Sequence, residues 1–131
     1  MAEGCDWRPV FDPVSYDLIG CAIEAHRRLG PGLLESAYEQ CLARELALRG
    51  FDFQLQVAMP VRYKGLGLDC GYRVDFLFDG KRIAELKSVE RVTDVHRAQL
   101  LTYMKLAEIG VGLLINFNVR ILRDGIERFV L

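Results

Sequence analysis

The spacing of the apolar residues changes partway along the chain, and this change restricts the fold more than any other feature of the sequence. Two stretches with helical spacing come first, one ending at Gly30-Pro31 and the other at Gly50. From Phe53 onward, apolar residues alternate with polar ones, which is the spacing of a half-buried strand. A chain that holds both kinds of element predicts an α/β domain in which helices pack against a sheet.

Turn and cap residues mark the further elements. Asp12-Pro13 is typical of a helix start, and Asp79-Gly80 is a strong hairpin signal. After the first two helices, the pattern predicts a strand at 53–59 that continues at 61–63, a turn at 64–68, and strands at 71–78 and 82–87. It then predicts a helix from Thr93 or Asp94 to Ile109 that is ended by Gly110, a strand at 111–116, and a last hairpin about Asp124-Gly125. The predicted order is therefore ααβββαβββ.

Length and composition indicate one globular domain. The chain has 131 residues, of which 51% are apolar and 27% charged, so it can bury one core. We assign residues 1–12 to an N-terminal tail or cap and residues 13–131 to a single domain. No apolar run approaches the roughly 20 residues of a membrane span, and residues 1–6 do not resemble a signal peptide. We therefore expect a cytoplasmic location without a membrane partner.

The net charge and the cysteines argue against two kinds of function. The net charge is -1, whereas tight, nonspecific binding to nucleic acid usually needs a strongly basic surface. A local cluster of basic side chains stays open. The 4 cysteines are widely spaced and form no Cys-x-x-Cys pair, so they predict free buried thiols rather than a zinc or redox site.

Two carboxylates and a lysine form the strongest candidate for a chemical site. Asp75 lies on one predicted strand, and Glu85 and Lys87 lie on the next. A two-residue turn between the strands puts Glu85 on the face opposite Asp75, whereas a three-residue loop at 78–80 pairs Asp75 with Ile83 and puts all three side chains on one face. We favour the longer loop, because it also collects four apolar side chains on the other face: Val74, Phe76, Ala84 and Leu86.

Two carboxylates at close range repel each other and lose solvation, so a divalent cation with oxygen ligands is a natural partner for them. Mg²⁺ or Mn²⁺ suits such ligands best. The cation would polarise a phosphate and help to deprotonate an attacking water, while Lys87 would orient that water or offset charge on the phosphate. The residues alone also allow a plainer alternative, a solvated strand face on which Glu85 and Lys87 form a weak ion pair.

Several ordered motifs resemble one protein family over about residues 16–131. They are Gly32-Leu33-Leu34-Glu35-Ser36-Ala37-Tyr38, Arg73-Val74-Asp75-Phe76, Glu85-Leu86-Lys87, Gln99-Leu100-Leu101-Thr102-Tyr103 and Gly112-Leu113-Leu114-Ile115-Asn116-Phe117. Together they resemble the GxxExxY proteins, a predicted branch of the PD-(D/E)XK nuclease superfamily. The resemblance implies a restriction-endonuclease-like fold, in which helices flank a central mixed β-sheet. Val74 departs from the superfamily pattern, which has proline before the first acid.

The resemblance also implies roles for the charged residues. Asp75 and Glu85 would bind the metal, and Glu35 would be a further metal-binding acid that its helix brings to the site. Lys87 would be the catalytic lysine. A structural role for Glu35 stays open, because an acid in the first turn of a helix is stabilised by the helix dipole alone.

Gln99 and Tyr103 match a Gln-x-x-x-Tyr element of exonuclease-like branches, and the resemblance implies that they belong to the catalytic site. At i and i+4 they share a helix face. Structural alternatives stay open here too, with Tyr103 packed in the core and Gln99 at a strand edge.

Two functions are consistent with these residues. The first is a metal-dependent nuclease that hydrolyses phosphodiester bonds in nucleic acid, with DNA favoured as the substrate. The alternative is a non-catalytic nuclease-like module that binds nucleic acid or a protein partner. The acid and lysine set favours the first function, and the weak net charge favours the second. A second copy of the chain is a candidate partner in a homodimer.

Overall fold

The structure, a computed structural model, describes residues 13–131, and the predicted tail or cap at 1–12 lies outside the described residues. Within that range the helices are α1 Pro13–Leu29, α2 Glu35–Leu48 and α3 Asp94–Ala107. The strands are β1 Phe53–Ala58, β2 Val61–Tyr63, β3 Leu66–Leu68, β4 Arg73–Phe78, β5 Arg82–Lys87, β6 Val111–Asn116 and β7 Ile126–Val130. A short 3₁₀ helix, Leu122–Gly125, precedes β7.

Five strands form one mixed sheet in the order β1-β4-β5-β6-β7. β5 and β6 run parallel, whereas the other neighbouring pairs are antiparallel. Parallel neighbours need a crossover connection, and α3 supplies it. The predicted α/β class is confirmed, because helices flank a central mixed sheet in a restriction-endonuclease-like arrangement.

Local backbone rules account for most helix ends. Gly50 follows α2 in the left-handed conformation, with φ of 76°, as predicted for a C-terminal glycine. Thr93 caps α3, and its hydroxyl accepts a hydrogen bond from the His96 N–H at 3.3 Å. The predicted continuation of α3 to Ile109 is wrong, because Glu108 adopts a left-handed φ of 56° and the helix ends at Ala107.

Helices cover both faces of the sheet. α1 and α2 pack on one face, over a cluster that includes Leu18, Tyr38, Leu42, Phe76, Leu86 and Phe117. α3 packs on the other face, over a second cluster that includes Val74, Ile83, Leu100, Tyr103, Met104 and Leu114. Gly112 permits the close approach of α3 to β6, because a Cβ at this position would lie 2.6 Å from the Met104 sulfur.

Side chains alternate between the two faces of the sheet along β1 and β4, except at Gln56 of β1 and the residue opposite it in β4. Gln56 has a left-handed φ of 51°, and regular pairing with β4 continues on both sides of it. Phe53 and Phe76 therefore pack in the cluster under α1 and α2, whereas Val57 and Val74 pack in the cluster under α3. The prediction that Val74 shares a face with Phe76 is wrong, because the alternation breaks between them, at the level of the left-handed Gln56.

The predicted hairpin about Asp124-Gly125 is also wrong. β7 pairs with β6 instead of with residues 120–123, which belong in part to the 3₁₀ helix. Leu122 is buried under α1 and α2, so tertiary packing overrides the local turn signal. Gly125 lets the backbone at this position lie close to the backbone of Asn116, because a Cβ on residue 125 would lie 2.1 Å from the carbonyl oxygen of Asn116.

A small hairpin lies outside the main sheet. β2 pairs with β3 across Lys64-Gly65, whose φ values of 48° and 84° suit a type I′ turn. The predicted turn at 64–68 is thus limited to residues 64 and 65. The predicted continuation of β1 through residues 61–63 is wrong, because these residues form β2 in a separate sheet. The observed order, ααβββββαββ, has two more strands before α3 and one fewer after it than predicted.

Two further predictions concern the cysteines and the membrane. Cys21, Cys41 and Cys70 are free thiols, but Cys70 is exposed rather than buried. Cys5 lies outside the described residues. Between residues 13 and 131, no helix has the length and apolar character needed to cross a membrane.

Candidate active site

The hairpin of β4 and β5 sets Asp75 against Glu85. Phe76 pairs with Ala84, and the strands are joined by a loop at 79–81 whose first two residues have positive φ values of 56° and 65°. Continued by one position, this register puts Asp75 opposite Glu85. The predicted three-residue length is therefore confirmed, but the loop starts one residue later than predicted. The predicted pairing partner of Asp75 is wrong by two residues, but Asp75 and Glu85 still lie side by side, because each carboxylate bonds to the backbone of the other's strand.

Each of the two carboxylates bonds to the backbone of the other's strand. The N–H of Asp75 donates to Glu85 Oε1 at 2.7 Å, and the N–H of Leu86 donates to Asp75 Oδ2 at 2.8 Å. The regular pairing of β4 with β5 stops at Phe76. Beyond it, the carboxylates satisfy backbone donors that the other strand no longer reaches, so the sheet itself holds the two acids side by side.

Glu85 lies in an environment that favours its protonated form. The residue is only 6% exposed, and burial is the main cause that raises its pKa, followed by the charge of Asp75. The hydrogen bond from the Asp75 N–H and the charge of Lys87 act in the opposite direction, yet the pKa of Glu85 still rises to about 8. Near neutral pH, the acid pair therefore holds a proton unless a cation replaces it.

Gln56 contacts Asp75 and links it to Glu39, although the sequence analysis names neither Gln56 nor Glu39. The side-chain amide of Gln56 donates to Asp75 Oδ1 at 3.0 Å and to Glu39 Oε1 at 2.5 Å. The left-handed backbone of Gln56 is an uncommon conformation that clusters at functional sites. For Glu39, a signal was available, because it lies four residues after Glu35 and so on the same face of α2.

Lys87 and Glu35 lie within electrostatic range of the pair, since the first lowers and the second raises the pKa of Glu85. Lys87 ends β5 half-buried, and its ammonium group forms no hydrogen bond or ion pair with residues 13–131. Glu35 is exposed at the start of α2. In the described part of the chain, no group of three His, Cys, Asp or Glu side chains is arranged to hold a metal ion. The structure thus places Asp75 beside Glu85 but does not bring Glu35 into the same group.

Gln99 and Tyr103 line a cleft beside the acid pair. Tyr103 is 5% exposed, and its pKa is raised first by burial and then by the charge of Glu85, which indicates that the two side chains are close. Gln99 is exposed and borders the same cleft together with Tyr72. The structure therefore brings Gln99 and Tyr103 to one surface next to the acids.

The donor atoms of the pair suit a hard divalent cation. Mg²⁺ usually keeps several of its waters and takes only one or two carboxylates from a protein. Asp75 and Glu85 supply two, held by hydrogen bonds to the backbone. The residues present therefore fit Mg²⁺ or Mn²⁺ without a third acid.

The family model of the PD-(D/E)XK nuclease superfamily matches residues 12–129. The match spans nearly the whole chain, so the protein belongs to this superfamily. Its nucleases generally use divalent metal ions, and membership supports a nuclease-like function and an interaction with nucleic acid. Comparisons with curated proteins and with solved structures gave no match.

Proposed function

We propose that this protein is a metal-dependent nuclease that hydrolyses phosphodiester bonds in DNA, and that it belongs to the GxxExxY branch of its superfamily. The observation that carries the proposal is the acid pair, in which Asp75 and the buried Glu85 bond reciprocally to each other's strands. Two adjacent acids, one of them buried, destabilise a fold unless they have a partner. A divalent cation is the partner that their chemistry favours.

Asp75 and Glu85 would hold Mg²⁺ or Mn²⁺, and Glu35 is the candidate for a third, more distant acidic ligand. A bound cation supplies Lewis-acid chemistry, which polarises the phosphate and lowers the pKa of a bound water. Glu85 must first lose its proton, since its pKa is raised to about 8 by burial and by Asp75. Gln56 would keep Asp75 in position, because its amide donates to Asp75 Oδ1.

Lys87 would act on the substrate as the catalytic lysine. Its ammonium group has no partner among residues 13–131, so it is available to orient the attacking water or to offset negative charge on the phosphate. Gln99 and Tyr103 would contact the substrate from α3, since both border the cleft beside the acids.

The proposal is tested by cleavage of labelled single-stranded and double-stranded DNA with Mg²⁺ or Mn²⁺. The wild type is compared with Asp75→Ala and Lys87→Ala, and Lys81→Ala is the matched control, because Lys81 is an exposed lysine in the β4–β5 loop. We expect cleavage by the wild type and by the control, and its loss in the other two variants with folding intact. Absence of cleavage with either metal, or equal cleavage by all variants, would favour a non-catalytic module that binds nucleic acid or a protein partner.

A further inference from the structure

A cleft of about 330 Å³ opens next to the acid pair, between α3 and the segment that leads into β4. Its lining residues are Val61, Tyr72, Gln99, Thr102, Tyr103 and Leu106. The volume is at the lower limit of ordinary small-molecule sites. Tyr72 directly precedes β4, the strand that carries Asp75, and Tyr103 packs in the same cluster as Val74 of that strand. The cleft therefore opens beside the strand that brings Asp75 to the acid pair.

Aromatic rings and unused polar groups characterise the lining. Tyr72 is 46% exposed, and its ring centroid lies 6.2 Å from that of Tyr103. Gln99 and Thr102 are exposed on α3, and neither side chain has a hydrogen-bond partner in the region 13–131. An exposed ring beside an amide and a hydroxyl offers a stacking surface together with donors and acceptors for a planar polar molecule.

We propose that this cleft binds one unpaired nucleobase of the substrate, with the base stacked on Tyr72 and its edge bonded by Gln99 and Thr102. The inference rests on the proposed function, and it makes single-stranded nucleic acid, or an unpaired end, the preferred substrate. The cleft suits a single base. A base inside a duplex is stacked on both of its faces and paired along its edge, so it is not available to the cleft.

The net charge supports the same inference. With a net charge of -1, the protein lacks the strongly basic overall charge on which affinity from phosphate contacts usually depends. Stacking of bases on aromatic side chains is a second source of affinity that does not depend on net charge. An exposed tyrosine at the entrance to the site supplies it.

The test measures binding without cleavage, by fluorescence anisotropy in EDTA. The ligands are a single-stranded oligonucleotide, a strand of the same length that consists of abasic residues, and the blunt duplex of the first strand. Tyr72→Ala is compared with Tyr72→Phe, which keeps the ring, and with Tyr16→Ala as a control. Tyr16 is a tyrosine on α1 that is 66% exposed and does not line the cleft.

We expect Tyr72→Ala to bind the normal single strand more weakly than the wild type by about 5-fold to 150-fold, the factor that corresponds to loss of one stacked base. The abasic strand should bind the wild type and Tyr72→Ala equally weakly. Tyr72→Phe and Tyr16→Ala should bind like the wild type. Thr102→Leu, which narrows the cleft from an exposed position, should also weaken binding, and it replaces Tyr72→Ala if that variant does not fold.

Two results would overturn the inference in distinguishable ways. Binding of nucleic acid that is insensitive to Tyr72→Ala, to Thr102→Leu and to the abasic residues would reject the base site alone, as would equal affinity for the duplex. Failure of the wild type to bind any of the three ligands would reject the proposed function together with the base site. Binding that depends on Tyr72 and on the bases, without cleavage when metal is added, would support the base site and reject the nuclease activity alone.

Discussion

Glu85 and Glu127 occupy one row of the sheet but have opposite environments. Leu114 pairs with Glu85 on one side and with Glu127 on the other. Glu127 accepts two hydrogen bonds from the guanidinium of Arg97, at 2.7 and 3.2 Å. Glu85 instead faces Asp75, and no cation of the described chain bonds to it. The two acids lie two strands apart in the same sheet, and a cation neutralises Glu127 but not Glu85.

The difference separates a stabilising contact from a candidate functional one. Arg97 also bonds to Asp94 in the first turn of α3, so the pair with Glu127 fastens that helix to β7. The environment of Glu85 keeps its pKa well above the ordinary range at a cost in stability. Unfavourable environments of this kind concentrate at sites of catalysis and binding. The comparison therefore predicts opposite consequences for the same substitution at the two acids.

The largest expected difference is in activity. Glu85→Gln should lower metal-dependent cleavage of DNA by about 1,000-fold, or roughly 4 kcal/mol, because an amide is a poor ligand for Mg²⁺. Glu127→Gln should cleave at nearly the wild-type rate, since Glu127 bonds to Arg97 and not to the acid pair. Rates measured side by side on one substrate test this prediction, and equal loss in both variants would contradict the assignment of Glu85 to the site.

The next difference is in stability without metal. Between pH 4.5 and about 8, folded Glu85 keeps a proton that the unfolded chain loses, so the free energy of unfolding falls as the pH rises through this range. Glu85→Gln lacks that dependence and still offers an acceptor to the Asp75 N–H. At pH 9 in EDTA, we expect the variant to be more stable than the wild type by roughly 2–4 kcal/mol.

Urea unfolding of both proteins at pH 5 and pH 9 measures this effect. The stabilisation should be small at pH 5, where Glu85 is protonated in the folded state. A variant that is less stable than the wild type at pH 9 would mean that Glu85 is ionised and well paired in the folded protein.

A third effect links metal binding to protons. A ligand carboxylate must be ionised to bind metal. As the pH rises toward 8, the affinity for Mg²⁺ should therefore increase by about tenfold per pH unit, which is roughly 1.4 kcal/mol, and above pH 8 it should level off. Isothermal titration calorimetry in two buffers with different heats of ionisation would detect the released proton. An affinity that does not change between pH 6 and pH 8 would show that the pair holds no proton to displace.

The smallest effect belongs to the ion pair. Arg97→Met should lower the free energy of unfolding by about 0.5–1 kcal/mol at low salt, since the pair with Glu127 is partly exposed. The loss should shrink at high salt, because ions screen exposed charges. A matched urea series with Glu127→Gln should give a loss of similar size, opposite in sign to the gain predicted for Glu85→Gln at pH 9.

Much of the fold could be predicted because its signals are local. The left-handed Gly50 after α2, the Thr93 cap of α3 and the three-residue loop between β4 and β5 depend on residues close together in the chain. Where a distant strand competes, the local signal fails. Asp124-Gly125 has the composition of a hairpin turn, yet β7 pairs with β6.

The surroundings of the candidate site were only partly predictable. Asp75 and Glu85 stand out in the sequence because one hairpin joins their strands. Gln56 and Tyr72 do not, since they reach the site from separate elements, whereas Glu39 could have been found from its spacing to Glu35. Glu35 was expected as a third acid, but the structure does not gather it into a metal cluster with the pair.

The amino-acid sequence by itself determined the types of the principal elements and favoured the three-residue loop that sets Asp75 beside Glu85, because caps, turns and the periods of helix and strand act over a few residues. Only the tertiary structure decided how far Glu85 is buried, which strand β7 joins and which side chains surround the acids. These properties depend on contacts between residues far apart in the chain, and burial, which sets the pKa of Glu85, exists only after the sheet and α3 have packed together.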